Sequence, residues 1–91
     1  MNTAFLLMAR YDARPIIPVE TVCRDYFPHL VLDNFIRKAS VGDIKLPLVR
    51  VDAGSKKGAR GVHLQDLAAF IDARRAEAEK ELKQLISARE S

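Results

Sequence analysis

From Gln65 to Ser91 the chain reads QDLAAFIDARRAEAEKELKQLISARES, a run without glycine or proline. Ala, Glu, Leu, Lys and Arg dominate it, residues that lose little on entering a helix. Leu64, Leu67, Ile71, Ala78, Leu82 and Leu85 recur at spacings of three, four and seven, which is one helical face. Glu77 with Lys80 and Glu79 with Lys83 add favourable pairs, and Glu77 with Glu81 an unfavourable one. A chain of 91 residues forms one domain with limited apolar surface to bury. Leu67, Phe70 and Ile71 are therefore expected to anchor the first half of this helix to a small core. From about Ala76 there is little core left to cover. The edge of Ala78, Leu82, Leu85 and Ile86 then meets another chain or frays, because an isolated helix of that length is marginal. This divides the chain into a folded domain, residues 1–75, and a C-terminal helical extension, residues 76–91.

Ahead of that helix the chain is cut into short pieces. TAFLLMARY is apolar but too short for periodicity to choose between strand and helix. Pro15 disfavours helix at Arg14. Pro18 suits a first helical position, Glu20 lies in the first turn, and Val19, Val22, Cys23 and Tyr26 form one face, so a helix is expected up to the break at Pro28. A second helix follows in VLDNFIRKASVGDI, with Leu32, Phe35, Ile36 and Ala39 inward and Gly42 as its stop. Asn34, Arg37, Lys38 and Val41 fall off that stripe and face outward. LPLVRV and GVHL are β-like, and AGSKKGARG between them makes the pair a hairpin with a long tip.

The net charge is +3, and its placement says more than its size. Residues 1–36 carry −1, residues 37–60 carry +5 and residues 61–91 carry −1. All of the positive excess sits in the middle of the chain, the electrostatic footprint of a nucleic-acid binder. A basic solvated surface is the plainer reading of charge alone.

No constellation for catalysis is present. His29 and His63 read as turn and hairpin residues, far apart in sequence and tied to no nucleophile pattern. Cys23 is the only cysteine, which precludes an intramolecular disulfide or a zinc pattern and fits a reducing compartment. It lies on an apolar helix face, where a buried thiol is expected. A phosphate loop of the GxxxxGK-Ser/Thr kind fails, since Ala59 follows Gly58 and the next segment is β-like. No metal and no cofactor are expected. The apolar start is too short to span a bilayer and lacks a signal peptide's basic region, so it is read as part of the fold.

The order helix, turn, helix, strand, basic glycine-rich tip, strand, helix is that of a winged helix-turn-helix of the excisionase and AlpA type. The expected fold is thus mainly α with a small β-hairpin wing and a long C-terminal helix. A helix fits the major groove, where Asn reads adenine and Arg reads guanine, and a cationic tip meets backbone or minor groove. Candidate DNA contacts are Asn34, Arg37 and Lys38 on the second helix, Lys45 and Arg50 beyond it, and Ser55, Lys56, Lys57 and Arg60 on the tip.

The segments MNTAFLLMARY, IPVETVCRDYF, FIRKASVGDIKLPLVRV and GSKKGARGVHLQDLAAFIDARR also resemble the pyocin activator protein (PrtN) family, from Met1 to about Arg75. That resemblance implies a bacterial, cytoplasmic DNA-binding activator of phage-derived or bacteriocin genes, working at promoters after DNA damage relieves a repressor. Where the family pattern opens the second helix with Thr-Pro-acid, this chain has Val31-Leu32-Asp33, and Val31 cannot cap as threonine does. Expected partners are promoter DNA, RNA polymerase and, through the C-terminal helix, further copies of the chain, with no membrane. An excisionase-like DNA-bending factor, or an interaction module working through that helix, are the alternatives.

Overall fold

The computed structural model describes residues 2–51 and 59–90. In chain order it holds α1 (Thr3–Arg10), β1 (Ile16–Pro18), α2 (Val19–Tyr26), α3 (Leu32–Ser40), β2 (Val49–Arg50), β3 (Arg60–His63) and α4 (Leu64–Glu90). It is mainly helical, with one small antiparallel sheet.

The ambiguous apolar start is a helix. Asn2 decides it, since its Oδ1 accepts from the Ala4 N–H at 2.8 Å and caps α1. Leu7 and Tyr11 turn inward, α1 packs along α4, and the Thr3 hydroxyl donates to Asp72 Oδ1 at 2.6 Å. The chain reverses after α1 through Asp12 and Ala13, both left-handed at φ 56° and 58°. Two non-glycine residues there are uncommon, and the Ala13 N–H bond to the Met8 carbonyl, 2.7 Å, helps hold the turn.

The sheet has three strands where the sequence predicts a two-stranded hairpin. β3 is central, with β1 and β2 on its flanks. Ile16, Ile17 and Pro18 pair with His63, Val62 and Gly61. Three residues show no alternation to read, and the neighbouring proline points to a helix start instead. Pro18 proves to be the last strand residue and the N-cap of α2, one position ahead of the expected place. An edge strand tolerates it because the missing N–H is not needed there.

α3 forms as expected and ends as expected, at Val41 and Gly42, the latter at φ 87°. Its start is bare: Val31 makes no side-chain cap bond. The core joins Leu7, Tyr11, Ile17, Val19, Val22, Phe35, Leu46, Val62 and Leu67. Phe27 stacks on Phe35 with ring centroids 4.8 Å apart and meets Phe70 at 5.7 Å, joining the turn, α3 and α4. Cys23 is buried, its thiol directed at the Phe27 and Leu30 carbonyls of the α2–α3 turn at 3.7 and 3.5 Å.

One polar cluster ties α1 to α2. The Tyr11 hydroxyl donates to Asp25 Oδ2 at 2.7 Å, while Arg24 Nε and an Arg10 guanidinium nitrogen lie 3.2 and 3.5 Å from the same carboxylate. The Tyr11 bond, backed by Arg24, holds the Asp25 carboxyl below its usual range, although partial burial opposes this. Burial, then the bond to Asp25, pushes the Tyr11 phenol up.

Candidate nucleic-acid interface

α3 presents two faces. Phe35 is fully buried and Ile36 half-buried, whereas Asn34 and Arg37 are exposed and Lys38 is half-buried. Asn34, Arg37, Lys38 and Val41 follow at three, one and three residues, so they lie on one outward stripe. The turn from Phe27 to Val31 joins α2 to α3, and the two helices pack together.

The base of the wing lies against the end of α3. Ala39, Ser40, Pro47, Leu48, Arg50 and Arg60 line one concavity of about 430 Å³. Arg60 therefore departs from its expected place: it is a strand residue of β3, paired with Arg50 of β2, and not part of the tip. The ladder continues past Arg50, through the Val51 N–H bond to the Ala59 carbonyl at 3.0 Å, and so reaches further toward the tip than β-like residues alone reveal. Ser55, Lys56 and Lys57 lie outside the described residues. Lys45 lines a different groove, of about 530 Å³, running beside α4 with Asp43, Ile44, Asp66, Phe70 and Arg74 among its walls. The structure thus brings Arg50 and Arg60 beside the end of α3 and sets Lys45 apart from them.

Ion pairing separates the cations further. Arg10 and Arg24 engage Asp25, and Arg75 engages Glu79 at 3.2 Å. Among the described residues, Arg37, Lys38, Lys45, Arg50 and Arg60 form no ion pair, and neither do Arg14, Arg74, Lys80, Lys83 and Arg89. Ser40 is the wall residue that the sequence reading did not single out; its place three residues after Arg37, at the end of the outward stripe, was the available signal.

His63 is a joint and not a bystander. Its Nδ1 accepts from the Gln65 N–H at 3.1 Å, and the Leu64 N–H donates to the Pro15 carbonyl at 2.8 Å. β3 therefore runs into α4 with no intervening loop. Gly61, buried inside β3, has no room for a side chain, since a Cβ there would sit 2.9 Å from the Ile17 carbonyl oxygen.

Among the described residues no group of three or more His, Cys, Asp or Glu is placed to hold a metal ion, and no helix is long and apolar enough to cross a membrane.

Helix, turn, helix, a small three-stranded sheet whose β2–β3 pair abuts the second helix, and a long C-terminal helix are compatible with a winged helix-turn-helix. No curated protein and no solved structure matches the chain. The family model of pyocin activator protein PrtN matches residues 3–78, and the chain belongs to that family. Membership suggests a regulatory role in pyocin gene activation, and such activators are not an enzyme class.

Proposed function

We propose that the chain is a sequence-specific double-stranded DNA-binding activator of bacteriocin or phage-derived genes, acting in the bacterial cytoplasm. The observation that supports this reading best is the adjacency of α3 and the Arg50–Arg60 strand pair. Asn34, Arg37 and Lys38 would face base edges and neighbouring phosphates in the major groove, and the wing base would follow the backbone. Gel shifts of promoter DNA against the purified full chain test it. Arg37→Ala is expected to weaken binding and relax sequence preference, by about 1–3 kcal/mol if that side chain reads a guanine. Lys56→Ala with Lys57→Ala is expected to weaken binding to every sequence alike. Equal affinity for promoter and random DNA in wild type would sink the sequence-specific reading and leave the excisionase-like one.

The exposed edge of α4 favours a second, compatible role. Leu82, Leu85 and Ile86 are 56, 64 and 45 % exposed on a helix that has left the core. They would join copies of the chain, placing two wings on one stretch of DNA. Sedimentation of the full chain against a version ending at Arg75 tests this: the full chain should be the larger species. The same mass per particle for both would remove α4 as an association element.

A further inference from the structure

Arg50 and Arg60 stand directly opposite each other across β2 and β3. The Val51 N–H to Ala59 carbonyl bond makes 51/59 a hydrogen-bonded pair. One step along, 50/60 is then a non-hydrogen-bonded pair, the kind that brings side chains closest, with about 4.5 Å between Cα atoms. Like charges in that position are destabilising. Arginine cannot relieve the repulsion by losing its proton. No described carboxylate lines their concavity, in contrast to the groove beside α4, which has Asp43, Asp66 and Glu77. β2 itself is two residues long, so little else fastens it.

We infer that Arg50, Arg60 and the Ser40 hydroxyl form a seat for one tetrahedral oxyanion, the phosphodiester of a bound nucleic acid, and that filling it fastens the base of the hairpin. Two guanidinium forks match phosphate oxygens in geometry, and a hydroxyl supplies one more donor. Ala39, Pro47 and Leu48 complete the lining and bring no competing charge. A phosphate between the arginines turns a repulsive pair into two attractive ones. Binding and strand pairing are thereby coupled: the anion favours the closed hairpin, and the closed hairpin assembles the seat. The inference rests on the DNA-binding reading for its ligand, while its chemistry is shared with free phosphate.

Three measurements on the full chain separate those sources. In thermal unfolding at constant ionic strength, replacing chloride by inorganic phosphate should raise the Tm of wild type. It should not raise that of Arg50→Gln with Arg60→Gln, whose Tm in chloride should equal or exceed wild type. In DNA titrations, one shared phosphate predicts that the double variant flattens the slope of log affinity against log salt by about one, no more than either single variant does. In amide exchange, DNA should slow the Val51 N–H in wild type and leave it unchanged in the double variant. Should the double variant fail to fold, Arg50→Lys with Arg60→Lys keeps both charges and loses the forks, and its response to phosphate should shrink. Wild type that binds DNA, with a double variant of unchanged slope and unchanged Val51 exchange, overturns the seat and leaves DNA binding intact. An arginine-dependent rise in Tm with phosphate, together with no DNA binding at low salt, keeps an oxyanion seat and overturns its nucleic-acid occupant.

Discussion

α4 is one helix with two lives. From Leu64 to Ile71 it carries Leu64, Leu67 and Ala68, all buried, with Phe70 and Ile71 packed at the core's edge. From Asp72 to Glu90 every residue is exposed, Leu82, Leu85 and Ile86 included. Composition shifts with burial: one of the eight residues from Leu64 to Ile71 is charged, against ten of the nineteen from Asp72 to Glu90. Helix propensity writes the backbone along the whole length, and packing supplies stability to the first two turns alone. Apolar spacing therefore marks a face, and the size of the core decides how much of that face is used.

Substitutions on the two halves should break that comparison or sharpen it. The largest effect belongs to Leu67→Ala, which empties a fully buried site and should cost about 2–5 kcal/mol in urea unfolding. Next is Gly61→Ala in the strand that leads into α4: a methyl group against the Ile17 carbonyl should force β1 from β3 and cost about 1–3 kcal/mol. Tyr11→Phe acts on α1, which covers the anchored half. It strips the Asp25 carboxylate of its buried donor, a loss of about 1.5–3 kcal/mol for a bond to a charged group.

The same pair sets the response to pH. Asp25 is held below its usual range, so the unfolded chain binds its proton more readily, and the stability it contributes is lost as pH falls below about 4. Tyr11 is pushed up, so the folded chain keeps the proton more readily, and that contribution fades as pH climbs above about 10. Urea midpoints across the pH range should show both arms in wild type, and Tyr11→Phe should flatten both. Smallest is Leu82→Ala on the projecting half, within about 0.5 kcal/mol at protein concentrations where the chain is monomeric. A loss that grows with protein concentration would mean that the second half is packed after all, against another copy.

Legibility in the sequence followed the number of residues that share a signal. α2, α3 and α4 each repeat their pattern over two or more turns, and the exposure of Leu82 and Leu85 follows from the size of the core. β1 has three residues and a proline, too few to alternate. α1 needed its cap: Asn2 before an apolar run was the deciding residue, and periodicity alone missed it. The basic block was legible as charge. Its geometry was not, because the opposition of Arg50 to Arg60 depends on strand register, and the separation of Lys45 depends on which wall of α3 the following loop takes. Ser40 comes to one wall with Arg50 and Arg60 only on folding, which spacing does not encode, whereas His63 bonds just two residues on, a local contact.

The junction of β3 and α4 has a mechanical consequence. Leu64 follows His63 with no spare residue, and two bonds, Gln65 N–H to His63 Nδ1 and Leu64 N–H to the Pro15 carbonyl, clamp the joint. The helix beyond it has 27 residues, a continuous rod of about 40 Å. A tilt of the central strand by about 10° would sweep the far end of that rod through about 7 Å. Strain applied at the wing is thus geared up at the other extreme of the molecule, and a grip on the rod's tip would exert leverage on the strand that carries Arg60.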